Sequence, residues 1–176
     1  RHAGVGKIAF TGSTEVGKEL RRAVAGTGKR VTLELGGKAA NIVFDDAPID
    51  QAVEGIVNGI FFNQGQVCCA GSRLLVHGPV ADRVVAKLKN RLRVLRVGDP
   101  LDKNTDVGAI VSREQLATIQ RYLDIGVKEG AEMWQPPFRR PPKGFFMPPT
   151  IFTGVTMSHC IAREEIFGPV LSILTF

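Results

Sequence analysis

The strongest constraint on this chain is the order of its hydrophobic patterns: short β-branched runs alternate with amphipathic helical stretches over most of its length. That alternation specifies an α/β fold, a mainly parallel sheet covered by its crossover helices. Lys7 to Phe10, Arg30 to Leu35, Asn41 to Phe44, Leu74 to Val76 and the apolar run Val170 to Phe176 read as strands. Lys18 to Ala25 has helical composition. Asp45-Asp46-Ala47-Pro48 supplies cap and first-turn residues for a helix whose apolar side carries Ile49, Val53, Ile56 and Ile60. Pro79 to Arg96 repeats apolar residues at helical spacing. Ser112-Arg113-Glu114-Gln115 is a capping-box pattern opening a helix with Leu116, Ile119, Leu123 and Val127 on one side, ended by Gly130. Residues 136–144 are dense in proline, which fits a rigid surface loop and neither a helix interior nor a central strand.

With 44% hydrophobic and 23% charged residues among 176, the chain has the apolar material for a packed core and is not a disordered segment. No run approaches the ~18 apolar residues of a membrane helix. The opening Arg1-His2-Ala3-Gly4 is neither a start methionine nor a secretory signal, and the final strand stops without a turn or cap. Both lead us to expect an internal piece of a longer chain, with strand edges and neighbours completed elsewhere. The net charge of +6 includes a cluster at Arg83, Lys87, Lys89, Arg91, Arg93 and Arg96. Those residues interleave with Val80, Val84, Val85, Leu88, Leu92 and Leu95, so we expect a solvated helix face and not a nucleic-acid site. Three cysteines, two of them adjacent, make no disulfide framework and point to a reducing, cytoplasmic setting. No metal site is expected, since Cys-x-x-Cys is absent and His77, His159 and Cys160 lack ligand spacing.

Four short constellations carry chemistry. Gly12-Ser13-Thr14-Glu15-Val16-Gly17 follows a strand and opens a helix, a geometry that offers free N–H groups to a phosphate, although a plain strand-to-helix turn looks the same. Glu34 ends a strand just before Gly36-Gly37-Lys38, where a carboxylate can serve as general base or simply be solvated or paired with Lys38. Cys68 and Cys69 lie in a polar, glycine-punctuated turn after Asn63, Gly65 and Gln66. A reactive thiol would sit there with its backbone amide free, and one of the two cysteines is a candidate nucleophile while the other is a candidate packing residue. Arg163 to Val170 places an acidic pair and Phe167 in a turn before a strand, suited to ribose hydroxyls and a flat ring, or to an ordinary surface turn.

Taken in order, Phe10 to Gly17, Leu33-Glu34-Leu35-Gly36-Gly37-Lys38, Phe62-Asn63-Gln64-Gly65-Gln66-Val67-Cys68 and Glu164-Glu165-Ile166-Phe167-Gly168-Pro169 resemble the NAD(P)-dependent aldehyde dehydrogenase superfamily over essentially the whole chain. The thirty-four-residue separation of Glu34 and Cys68 suits it too. The stretch from Asn41 to Val57 is fainter in its similarity, to family 16 aldehyde dehydrogenases. The resemblance implies an aldehyde dehydrogenase-like catalytic domain over 35–176, truncated at its C-terminal end, joined to the tail of a Rossmann-like cofactor domain over 1–34. It implies NAD or NADP as cofactor, an aldehyde as substrate, and a homo-oligomeric full-length enzyme with no membrane or nucleic-acid partner. Cys68 would be the nucleophile, Cys69 its structural neighbour, and Glu34 the base that activates the hydrolytic water. Ser13 would contact the pyrophosphate and Val16 pack near the adenine, with Gly12, Gly17 and Leu35 also lining the cofactor. Glu165 would bind the nicotinamide ribose and Phe167 lie against the nicotinamide. The other half of the oxyanion site, an asparagine, would lie outside this chain, so the isolated chain is expected to be inactive. A non-catalytic scaffold of the same fold is the alternative.

Overall fold

A computed structural model describes residues 2–176, which divide into two compact units, one ending at Gly37 and the other running from Lys38 to Phe176. In the smaller unit, β1 (Lys7–Thr11) and β2 (Arg30–Glu34) flank α1 (Thr14–Val24). The strands pair in parallel, from Lys7 opposite Arg30 to Thr11 opposite Glu34, with the helix as their crossover. The helix begins four residues before the helical composition does. Ser13 is the reason: its Oγ accepts the Val16 N–H at 3.3 Å and caps the first turn. Gly17 is buried, and a Cβ there would stand 2.6 Å from Leu35 Cδ2, so only glycine lets α1 approach the exit of β2 this closely.

The larger unit holds β3 (Ala40–Val43), β4 (Arg73–Val76), β5 (Glu132–Trp134), β6 (Thr150–Thr153) and β7 (Val170–Thr175). Their order is β3-β4-β7-β6-β5, parallel throughout except that β5 runs antiparallel to β6. The helices are α2 (Ile49–Phe61), α3 (Gly78–Arg93), α4 (Arg113–Lys128) and the short α5 (Cys160–Arg163). Because strand side chains alternate between faces, β7 sends Leu171 and Ile173 into a core with α2 and α3, and Val170 and Leu174 into a second core with α4 and α5. β6 divides the same way at Ile151 and Phe152. Both faces of the central strands are therefore covered, as a parallel sheet requires.

Several expectations are corrected. The final strand is flanked by β4 on one side and β6 on the other, so it is the centre of its sheet and needs no further neighbour. Asp45 and Asp46 do not cap α2; Pro48 occupies the cap position without a side-chain bond, while Asp45 lies 3.3 Å from His77. α3 ends at Arg93, three residues before Arg96, where Val94 caps it. In α4 the buried positions are Ile119, Tyr122, Leu123 and Gly126, whereas Val127 is 50% exposed. A strict helical repeat from Ile119 reaches Gly126, and there a glycine admits Phe152 and Ile161 to van der Waals range. Gly130 does end α4, at φ +95°, with its N–H bonded to Val127 O and that of Ala131 to Gly126 O.

The basic side of α3 is engaged within the fold. Lys87 pairs with Asp50, Arg91 Nε with Glu54 at 2.7 Å, and Lys89 and Arg93 both lie over the Trp134 ring. Truncation of the fully buried Leu88 to alanine is expected to cost about 2–5 kcal/mol in urea unfolding, the lost burial plus the cavity left behind. Val127→Ala, on the open side of α4, is expected to shift stability by less than about 0.5 kcal/mol.

Candidate active site

In the smaller unit the residues singled out by sequence converge on the carboxyl ends of β1 and β2. Gly12 donates its N–H to Glu34 O at 3.0 Å, which joins the Gly-rich turn to the strand carrying the glutamate. Ser13 accepts from Val16, and its hydroxyl proton remains available to an anion. The first amides of α1 face the same way, where a helix start favours negative charge. Glu34 and Val16 are exposed, and Leu35 packs on Gly17.

In the larger unit Cys68 follows α2 through a 3-10 turn, Phe62–Gly65. This turn is conformationally costly: Asn63 and Gln64 have φ of +47° and +58°, left-handed values that side chains other than glycine rarely adopt. Long-range polar contacts offset that cost. Gln64 Nε2 donates to Ala109 O at 3.0 Å while its Oε1 accepts from Gly108 at 3.2 Å, and Gln66 Oε1 accepts from Val111 at 3.1 Å. Asn63 Nδ2 closes the turn on Gln66 O. Downstream, Asn41 Nδ2 holds Gly71 O at 3.0 Å and the Gly71 N–H bonds Gly59 O. Amides at Gln66, Ala70, Gly71 and Ser72 all donate within the loop region, and among the described residues the Cys68 N–H has no partner.

Both Cys68 and Cys69 are exposed, so the packing role expected of Cys69 is not what the fold provides. The two occupy a turn, not the exit of a helix, and a turn can present adjacent side chains to solvent. Cys160 is half-buried; burial pushes its thiol up, helped by the hydrogen bond to the Glu164 carboxylate. Glu164 also accepts from Tyr122 Oη at 2.8 Å, and burial followed by that bond raises Tyr122 to about 12.

The turn carrying Glu165 and Phe167 is brought against the cysteine loop. Gly65, at φ +69°, sits so close to Gly168 that a Cβ would lie 2.2 Å from the Gly168 carbonyl oxygen. Phe167 has φ +56° and remains 37% exposed. Gln115 Nε2 donates to both Ile166 O at 3.0 Å and Phe167 O at 2.9 Å. Half of the expected capping box is thus present, Ser112 Oγ accepting from the Gln115 amide, while the Gln115 side chain reaches the other way. The bracing roles of Gln64, Gln66 and Gln115 are not visible in the sequence because their partners lie some 44 to 52 residues away. Lys38 is buried. Burial first and the Arg73 charge second lower it to about 8, against the opposing pull of Glu165 and Cys160. Among the described residues no cluster of three or more His, Cys, Asp or Glu side chains is arranged to hold a metal ion.

Two consequences can be measured. Gly65→Ala is expected to destabilise by more than about 2 kcal/mol, combining a left-handed alanine with a backbone clash, whereas Gly154→Ala, at φ +66° with open space around it, costs about 1 kcal/mol. Lys38 titrates below its unfolded value of 10.5, so the native state releases this proton first and stability from this group rises between pH 8 and 10.5. In urea unfolding, the stability of the wild type relative to Lys38→Met is expected to rise from pH 8 to 10. The raised Cys160 from about pH 9, and the raised Tyr122 above pH 10, act in the opposite sense, because there the unfolded state loses its proton first.

Comparison with known proteins supplies the frame for this geometry. The family profile described as "Aldehyde dehydrogenase family" matches residues 1–176. An aldehyde dehydrogenase of Emericella nidulans is 48% identical over 99% of this chain and 35% of its own length. One from Davidiella tassiana is also 48% identical, with 99% and 36% coverage. Among solved structures, an NAD-dependent aldehyde dehydrogenase from Sinorhizobium meliloti superposes with a TM-score of 0.94 at 45% identity, covering 98% of this chain and 34% of that one. The NAD+ complex of a Bacillus cereus aldehyde dehydrogenase gives 0.95 at 43% identity, with 99% and 36% coverage. The chain thus spans about a third of the length of the relatives it matches.

Proposed function

The chain belongs to the aldehyde dehydrogenase family, and we propose that it is the central segment of an enzyme that oxidises an aldehyde to a carboxylic acid with NAD+. In this reading residues 1–34 close a cofactor-binding domain and residues 35–176 form most of the catalytic domain. The observation that carries it is the cysteine loop: an exposed thiol at Cys68 whose own N–H is unpartnered, held by a strained but heavily bonded turn.

The residues fit a dinucleotide. α1 opens with a capped, glycine-flanked start whose N–H groups and Ser13 hydroxyl suit a pyrophosphate, and an exposed Phe167 suits a flat ring. The bound cofactor supplies a hydride acceptor. NAD is favoured because the solved relatives above are NAD-dependent or hold NAD+. Gly12, Ser13, Val16, Gly17 and Leu35 are proposed for its adenosine-diphosphate end, Glu165 for the nicotinamide ribose and Phe167 for the nicotinamide.

Cys68, as thiolate, forms a C–S bond to the aldehyde carbon, and the resulting oxyanion is stabilised by the Cys68 N–H together with a donor from outside this chain. Loss of hydride from that carbon leaves a thioester on Cys68. Glu34 takes a proton from water, the hydroxide adds to the thioester carbon, and the C–S bond breaks to release the carboxylate and regenerate the thiolate. The free thiols suit a reducing, cytoplasmic setting, and among the described residues no helix is long and apolar enough to cross a membrane. We propose a homo-oligomer acting on a small-molecule aldehyde, with no nucleic acid required.

In the longer protein containing this segment, Glu34→Gln is expected to give one stoichiometric burst of NADH followed by turnover slowed roughly a hundredfold or more, the range of general-base loss. Undiminished steady-state turnover would exclude Glu34 as the base. Iodoacetamide is expected to label Cys68 well ahead of Cys69 and of Cys160, whose thiol is held protonated; equal rates at all three would favour a non-catalytic scaffold. Residues 1–176 alone are expected to produce no NADH.

A further inference from the structure

The proline-dense loop 136–144 carries Arg139, Arg140 and Lys143 and no acidic residue. It forms one side of an open groove of about 450 Å³ whose other side is α4. Helical spacing gives that side of α4 to Leu116, Ala117, Gln120 and Leu123, about a third of a turn round from Gln115 and Ile119, which meet the Phe167 turn. No residue of the cysteine loop or of the Phe167 turn lines the groove. Its floor is apolar: Leu123, Phe146 and Met147 are buried beneath it, and Phe138 contributes to the wall. That wall is preset. Prolines fix φ along the loop. Gly144, at φ +104°, folds the chain back so that a Cβ there would fall 2.5 Å from Phe146 Cε2.

The rim is cationic. Arg113 and Arg140 both line the groove and no carboxylate does; Glu114, next in sequence to Arg113, is exposed and does not line it. Among the described residues neither arginine enters an ion pair or a side-chain hydrogen bond. The Arg113 guanidinium rests on the Phe145 ring, 5.4 Å from its centroid, a contact that steadies the group and leaves its N–H donors unused. The remaining polar lining, Gln120 and Gln135, is bonded to Asp124 and Thr150. We propose that this groove is a binding site for an aliphatic carboxylate of medium length, its head taken by Arg113 and Arg140 and its tail laid on Phe138, Phe146 and Met147. The forked donors of a guanidinium match a carboxylate, and the volume is that of a small-molecule pocket. The site requires nothing of Cys68, Glu34 or the cofactor.

Calorimetric titration of the longer protein with decanoate at low ionic strength tests this, and a single site per chain is expected. Decanol, the same tail without the charge, and octanoate, two methylenes shorter, are each expected to bind roughly fivefold to fifteenfold more weakly. Arg113→Gln and Arg140→Gln are each expected to weaken decanoate roughly fivefold to tenfold. Ala117→Trp, which fills the groove from the exposed side of α4, is expected to abolish binding. All three substitutions fall at exposed positions, so urea unfolding of each is expected to match the wild type. Decanoate binding that survives both arginine substitutions and Ala117→Trp would place the acid elsewhere, the catalytic pocket included, and overturn the proposal. Decanol binding as tightly as decanoate would reduce the groove to an apolar patch and overturn it as well. So would an absence of binding to the wild type, the outcome if the rest of the longer chain fills the groove.

Discussion

The larger unit depends on a contact in which no side chain takes part: the Gly65 backbone against the Gly168 carbonyl. A Cβ at Gly65 would reach 2.2 Å from that oxygen, so the cysteine loop and the Phe167 turn are seated on one another at main-chain distance. Three consecutive left-handed residues, Asn63, Gln64 and Gly65, are needed to bring the chain there. Only the last is a glycine, so the other two are maintained by what surrounds them. The glutamine side chains at 64 and 66 do this by bonding the segment 108–111, and that segment leads directly into the Ser112 cap and Gln115. One short stretch of chain therefore braces both loops.

The sheet order explains why these two loops are neighbours. The cysteine loop enters β4 and the Phe167 turn enters β7, and β4 and β7 are adjacent and parallel. Loops that lead into adjacent parallel strands lie at the same edge of the sheet. In open α/β sheets ligands usually bind beyond the carboxyl ends of the strands. In the smaller unit Gly12, Ser13 and Glu34, the residues proposed for cofactor and base, lie at the carboxyl ends of β1 and β2, whereas the cysteine of the larger unit lies at the amino ends.

Fold class was legible because period is a local property. The near-continuous apolar runs of β4 and β7 and the helical stripe of α3 report burial without any partner being known. The short strands β5 and β6 were missed, having three and four residues and no long run to declare them. Val127 misled because hydrophobicity outweighed phase; Tyr122 and Gly126 share the inward side of α4 and carry weaker apolar signals. The motifs holding Cys68, Glu34, Ser13 and Phe167 were visible as turn chemistry. Their supports were not: a glutamine that bonds a carbonyl fifty residues away looks, in sequence, like any exposed glutamine. The exposure of Cys69 alongside Cys68 likewise follows from the turn they share and not from their order.

The central claim is that Cys68 is the residue on which the aldehyde carbon is carried, with Cys69 a bystander although it too is exposed. Acid quenching of the longer protein during turnover of a simple aldehyde with NAD+, followed by tandem mass spectrometry of the peptide spanning the two cysteines, tests it directly. The account predicts an acyl group on Cys68 whose mass equals that of the aldehyde less one hydrogen. An acyl group on Cys69, or a peptide free of acyl while NADH accumulates in Glu34→Gln, would contradict it.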